Sequence, residues 1–240
     1  MKILVTGGLG FIGSNFILES ITKFPNNQIV NIDAELDGSS QLNLVPIKKN
    51  PRYRFVKGNI TNQKLVDKLV ANSDLVFNFA AESHVDRSIS NPGIFLETNT
   101  LGTLNLLESV RNTQKRIVVI STDEVYGSLD SGFANEKFPL NPSSPYSASK
   151  ASADLLAISY FKTFGLDVVV TRCSNNYGPY QYPEKIIPLF ITNLILGRQI
   201  PVYGTGKNIR DWLHVDDHCD GIYLVLTKGL SGEVYNIGGG

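Results

Sequence analysis

The chain has 240 residues, 42% of them hydrophobic, enough to bury a substantial core in one or two domains. Its 22 basic residues balance 22 acidic ones with no basic stripe, which argues against nucleic acid as a partner, and no apolar run approaches the roughly 18 residues of a membrane span. Two cysteines, Cys173 and Cys219, are too few for a disulfide framework, and the N-terminus lacks a signal-peptide layout, so a reducing, cytoplasmic setting is expected.

The first predicted strand, Lys2–Thr6, runs into Gly7-Gly8-Leu9-Gly10-Phe11-Ile12-Gly13 and then a helix over 14–22. Glycines at 7, 10 and 13 permit a tight turn, close backbone approach to a pyrophosphate and close helix–strand packing. The helix N-terminus adds free N–H groups and a positive dipole. A glycine pattern alone is weak, but its place between a strand and a helix points to dinucleotide binding rather than a structural turn. Asp33 closes the next strand, Gln28–Asp33. A carboxylate there accepts hydrogen bonds from ribose hydroxyls and repels a 2′-phosphate, favouring NAD over NADP; a turn or cap residue is the alternative.

Further strands are expected at 54–57, 75–79, 116–121 and 167–172, with helical periodicity over Gln63–Ala71, 101–111 and 147–164. Near-continuously apolar strands alternating with helices imply a doubly wound α/β fold, a parallel sheet covered on both faces. After about Asn175, prolines and glycines break the rhythm, with a helix near 184–196 and short strands near Ile200 and Val234. This divides the chain into a Rossmann domain over 1–174 and a smaller lobe over 175–240, its elements interleaved with the first. The sequence stops on Gly238-Gly239-Gly240 directly after a strand, so the lobe is expected to be incomplete.

Two motifs carry reactive groups. In Tyr146-Ser147-Ala148-Ser149-Lys150, a helical i,i+4 pair shares a face. A free tyrosine titrates near about 10; the lysine, helped by the nicotinamide's positive charge, stabilises the phenolate and makes Tyr146 a base. Ser121-Thr122-Asp123-Glu124-Val125-Tyr126-Gly127 follows an apolar strand, at the carboxyl end where open α/β sheets bind ligands. Adjacent carboxylates there can split acid and base roles; a solvated acidic turn is the alternative. The run Asp216-Asp217-His218-Cys219-Asp220 suggests a metal, but adjacent ligands rarely converge on one ion. An aspartate capping the following helix is the simpler reading, and no metal is expected. His214 is read as packing beside Trp212, and Cys173 as an inert core thiol.

The glycine turn, Ala80-Ala81-Glu82-Ser83-His84-Val85-Asp86-Arg87-Ser88-Ile89, the Thr-Asp-Glu run, Tyr-Ser-Ala-Ser-Lys, Arg172-Cys173-Ser174-Asn175-Asn176-Tyr177-Gly178-Pro179-Tyr180, Pro183-Glu184-Lys185 and 208–218 resemble the extended short-chain dehydrogenases acting on nucleotide sugars. In combination they are similar to the dTDP-glucose 4,6-dehydratase branch over essentially the whole chain, because epimerases of the superfamily lack the Asp123–Glu124 pair. The resemblance implies a bound NAD, a dTDP-glucose substrate and a homodimer through 101–111 and 147–164. It implies C4 oxidation by Tyr146 with Thr122 and Lys150, C5 deprotonation by Glu124, protonation of the leaving C6 hydroxyl by Asp123, and hydride return to C6. It also places Ile60, Thr98 and Asn176, with Gly7, Gly10, Phe11, Ile12, Gly13, Asp33, Asn59, Ala80, Ala81, Tyr146 and Lys150, on the cofactor. Ser83, Asn175, Lys185, Ile186, Pro201, Tyr203 and Arg210, with Thr122, fall on the substrate; a guanidinium fork suits a diphosphate.

Three departures stand out. Ala34-Glu35-Leu36-Asp37-Gly38 replaces the Lys-Leu-Thr-Tyr-Ala-Gly-like loop usual in the family, Asn59 replaces an aspartate beside the adenine, and family members continue past the final Asn-Ile-Gly-Gly motif. Rival readings are a UDP-sugar 4-epimerase, a UDP-sugar dehydratase, a non-catalytic NAD-binding regulator, or an inactive truncated NAD-binding form.

Overall fold

A computed structural model describes every residue except Asp130, Tyr203 and Gly204. The centre is a seven-stranded parallel sheet in the order β3 (Tyr53–Lys57), β2 (Gln28–Asp33), β1 (Lys2–Thr6), β4 (Leu75–Asn78), β5 (Arg116–Thr122), β6 (Val168–Cys173), β9 (Val234–Ile237). Alternate residues of each strand enter opposite cores. Leu4, Val76 and Val119 pack with α2 (Gln63–Ala71), α5 (Gly102–Thr113) and α6 (Pro145–Phe164). Ile3, Val5, Phe77 and Val118 pack with α1 (Phe11–Lys23) and α8 (Val215–Lys228). Burial on both faces explains why these strands read as continuous apolar runs.

The sheet order reverses direction between β1 and β4, which opens a crevice beyond their carboxyl ends. Residues 175–240 contribute to both parts of the molecule. β7 (Asn175–Tyr177) and β8 (Trp212–His214) form a separate two-stranded parallel ladder, and α7 (Ile186–Ile195) has no buried residue. α8 and β9 rejoin the main sheet, β9 through the register Val170↔Val234 to Cys173↔Ile237.

Several boundaries differ from expectation. α1 starts at Phe11, not 14, because Gly10 itself is the N-cap and the helix begins inside the glycine motif. A π-helical turn over Leu96–Leu101 leads into α5, so the helical run begins five residues before the expected start at 101. Two short helices, α3 (Val85–Ser90) and α4 (Pro92–Phe95), follow β4. No strand forms at Ile200 among the described residues; Pro201 has no N–H for a ladder, and the neighbouring Val202 is exposed.

Candidate active site

The β1–α1 turn is built for close backbone approach. Gly7 adopts φ +68°, and a Cβ there would lie 2.5 Å from the Ala80 nitrogen. A Cβ on Gly13 would lie 2.5 Å from the Gly7 carbonyl oxygen. Helices α2, α3, α6 and α8 have a side chain accepting from their first-turn N–H groups, whereas Gly10 gives α1 none. The exposed N–H groups and dipole of α1 therefore fit a pyrophosphate. Asp33 is buried and braced by N–H donors from Leu9 at 2.9 Å and Glu35 at 2.8 Å, and burial raises its pKa above the ordinary aspartate value. Two anchored carboxylate oxygens at the end of β2 suit ribose hydroxyls, so the chain's own groups fit a dinucleotide.

A cleft of about 340 Å³ runs from this turn across the ends of β4 and β5 to β7. It brings together Gly7, Gly10, Phe11, Ile12, Gly13, Asp33, Asn59, Ile60, Ala80, Ala81, Thr98 and Asn176 with Thr122, Asp123, Glu124, Tyr146 and Lys150. Thr98 comes from the π-helical turn, whose Asn99 is fixed by Glu82 N–H and by the Ser149 hydroxyl. Of the residues expected on the substrate, Ser83, Asn175, Lys185 and Ile186 line the cleft. Pro201 and Arg210 do not; the Arg210 side chain turns to the Ile209 carbonyl at 3.0 Å, although its charge still reaches Asp123 and Glu124. Tyr203 lies outside the described residues.

Thr122 ends β5 and accepts from the Glu124 N–H at 3.3 Å, starting the 3₁₀ turn Asp123–Tyr126; its hydroxyl donates to Asp123 at 3.4 Å. Both carboxyls are held above their ordinary pKa values by burial first. Asp211 pushes Asp123 further up against the Thr122 hydroxyl and Arg210, and Asp123 pushes Glu124 further up against the cationic Lys185 and Arg210. A capping box from Ser144 and Ser147 starts α6 and sets Tyr146 and Lys150 in its first two turns. Lys150 Nζ donates to the Ile120 carbonyl at 2.6 Å, and burial lowers its pKa while Asp154 raises it. Among the chain's own groups, the surroundings of the Tyr146 phenol push its pKa upward. Burial first, then the Glu124 charge, holds it well above the free value, with only the Thr122 hydroxyl in opposition. Phenol activation in this pocket therefore depends on added positive charge rather than on Lys150 alone.

Sequence reading missed the support beneath this site. Asp154, one turn beyond Lys150, pairs with Arg172 at 2.8 Å; the two are 1% and 5% exposed. Arg172 also donates to the Tyr126 hydroxyl at 2.9 Å, and that hydroxyl donates to Asn236 at 2.7 Å. The network ties α6 to β6, β9 and the Asp123–Tyr126 turn. Its only sequence signal is two charges inside otherwise buried elements. The 216–220 run also resolves differently: His214, not an aspartate, caps α8 by accepting from the Asp216 N–H at 3.3 Å, and packs edge-on against Tyr177. His218 points inward to Asn176 at 2.9 Å. Among the described residues no group of three or more potential ligands gathers for a metal. The buried Cys173 thiol is pushed up to about 12 by burial, which makes it a poor nucleophile.

Residues 4–240 match the family described as GDP-mannose 4,6 dehydratase. A dTDP-glucose 4,6-dehydratase of Streptomyces niveus is 54% identical over 100% of this chain and 73% of its own length. Among solved structures, DesIV, a dTDP-glucose 4,6-dehydratase from Streptomyces venezuelae with NAD bound, has a TM-score of 0.97 at 51% identity, covering 100% of this chain and 76% of that one. The dTDP-glucose 4,6-dehydratase of Bacillus anthracis in complex with NAD has a TM-score of 0.93, also at 51% identity, with the same coverage.

Proposed function

This chain belongs to the dTDP-glucose 4,6-dehydratase family, and from that premise we propose that it converts dTDP-glucose to dTDP-4-keto-6-deoxyglucose with NAD held throughout the cycle. The observation that carries this reading is the Asp123–Glu124 pair, which shares one cleft with Tyr146, Lys150 and the glycine turn. Bound NAD⁺ would supply the acceptor for the C4 hydrogen, the donor that returns it to C6, and positive charge beside the Tyr146 phenol.

The remaining steps rest on the chain's own groups. Tyr146 takes the proton of the C4 hydroxyl, with Thr122 hydrogen-bonded to the same oxygen. The 4-ketone acidifies the C5 proton, which Glu124 removes; Lys185 nearby favours its carboxylate form. Asp123, whose carboxyl is held above its ordinary pKa by burial first and then by Asp211, donates to the C6 hydroxyl as it departs as water. Ser83, Asn175, Lys185 and Ile186 hold the sugar nucleotide, and Asn59, Ile60, Thr98 and Asn176 the cofactor. Residues 1–174 with α8 and β9 form the cofactor domain, and the rest of 175–240 the sugar-nucleotide lobe.

A homodimer through α5 and α6 is supported by exposed Leu101, Leu155 and Phe164 on or beside those helices. A cytoplasmic location is supported by two buried free cysteines; no helix among the described residues is long and apolar enough to cross a membrane. A 4-epimerase would need neither acid nor base beyond Tyr146, so it leaves the carboxylate pair without a task. Incubation with dTDP-glucose tests the proposal: the 4-keto product absorbs in alkali, whereas recovery of dTDP-galactose would indicate an epimerase.

A further inference from the structure

Arg87 lies at the mouth of the cleft, outside the reacting groups. Its Nη1 donates to Asp37 at 2.8 Å and its Nη2 to Glu184 at 3.2 Å. These partners come from opposite sides. Asp37 follows β2 on the adenosine side, beyond Asp33, and Glu184 precedes α7 on the sugar side, next to Lys185. All three line the cleft, so the guanidinium fork spans it from rim to rim. Two further contacts lie alongside: Lys185 Nζ donates to the Ser83 carbonyl at 3.1 Å, and His84 Nε2 lies 3.5 Å from Glu184. His84 also caps α3, accepting from the Arg87 N–H at 3.4 Å, which fixes where the arginine starts. On the other rim, Asp37 sits in a turn closed by the Ser39 N–H and hydroxyl donating to the Leu36 carbonyl at 3.1 and 2.8 Å.

We propose that Asp37–Arg87–Glu184 is an ionic clasp across the cofactor cleft, with Arg87 as a positioning residue that slows NAD passage in both directions. The inference rests on the functional reading above, in which the cofactor is regenerated in each cycle and gains nothing by leaving. An arginine acting as a gate differs in its kinetics from one that simply binds the cofactor's phosphates. A gate slows entry and exit together and leaves the equilibrium nearly unchanged. A direct ligand contact slows exit alone and tightens binding.

The test exchanges radiolabelled NAD⁺ from the loaded full chain against unlabelled NAD⁺ to obtain the release rate, and uses equilibrium dialysis for Kd. Each exposed ion pair contributes little, roughly a 1.5- to 5-fold effect. Arg87→Gln, which breaks two, should speed release by roughly three- to twentyfold with Kd changing far less. Asp37→Asn, a change in a side chain 76% exposed and therefore safe for folding, should speed release by roughly two- to fivefold, and this effect should vanish in the Arg87→Gln background. High salt should speed release from the unaltered chain but not from Arg87→Gln, because screening removes only what the variant already lacks. Equal release rates in all forms, or a rise in Kd that accounts for the whole change, would overturn the clasp while leaving the functional reading intact. No NAD⁺ uptake by the unaltered chain would overturn both.

Discussion

Asp154→Asn probes the support of the site where the expected effect is largest. The substitution keeps side-chain volume but removes the one carboxylate paired with Arg172 among the described residues, in a place where the partners are 1% and 5% exposed. An uncompensated buried cation costs about 3–5 kcal/mol. For a chain of this size each kcal/mol shifts the melting temperature by about 2–4 °C, so the variant should melt roughly 6–20 °C lower. Differential scanning calorimetry measures this directly. Combining Asp154→Leu with Arg172→Met, which removes both charges, should recover most of the loss. The same change acts on Lys150. Burial already lowers the Lys150 pKa, and the Asp154 charge is the largest influence opposing it. Without that charge Lys150 loses its proton at lower pH, so the alkaline limb of the activity profile should move to lower pH in Asp154→Asn. A stability loss no larger than the ~1 kcal/mol of an exposed pair, or no recovery in the double variant, would refute the role given to this pair.

Asp123→Asn should lower turnover by about 10²–10⁴-fold, the usual contribution of a general acid; in single-turnover absorbance measurements the initial oxidation at C4 should survive while water elimination stalls. Glu124 has a pKa raised above the ordinary 4.5 by burial and by Asp123. Its carboxylate form is lost as pH falls through that raised value, so the acid limb of kcat should lie above pH 4.5, and Glu124→Gln should abolish solvent exchange at C5. Gly13→Ala sets a Cβ 2.5 Å from the Gly7 carbonyl oxygen; overpacking of this kind costs about 1–3 kcal/mol, to be read as a lower melting temperature together with weaker NAD⁺ binding in calorimetry.

The parts of this molecule that could be read from sequence are those encoded within a few residues. The glycine turn, Asp33 at a strand end, the Tyr146–Lys150 spacing and the acidic pair after β5 each declare themselves locally, and the alternation of apolar strands with helices declares the sheet. What stayed hidden depends on distant partners. Arg172 and Asp154 are separated by α6 and a strand, and only the packing of α6 on β6 turns two isolated charges into a pair. The Arg87 bridge joins residues 50 and 97 positions away. The seating of β9 against β6 cannot be read from a four-residue apolar run, because periodicity does not name a neighbour. The surroundings of Tyr146 are hidden for a related reason: helical spacing announces the nearby cation, but not the burial and the Glu124 charge that oppose it.

The central claim is a closed cycle in which hydrogen removed from C4 comes back at C6 and solvent supplies the hydrogen at C5. Substrate carrying deuterium at C4, converted in ordinary water and examined by NMR, tests this directly. The account predicts a 4-keto-6-deoxy product with the deuterium in its C6 methyl group and none at C5. Deuterium retained at C4 of a recovered hexose, or lost to solvent before reaching C6, would contradict it.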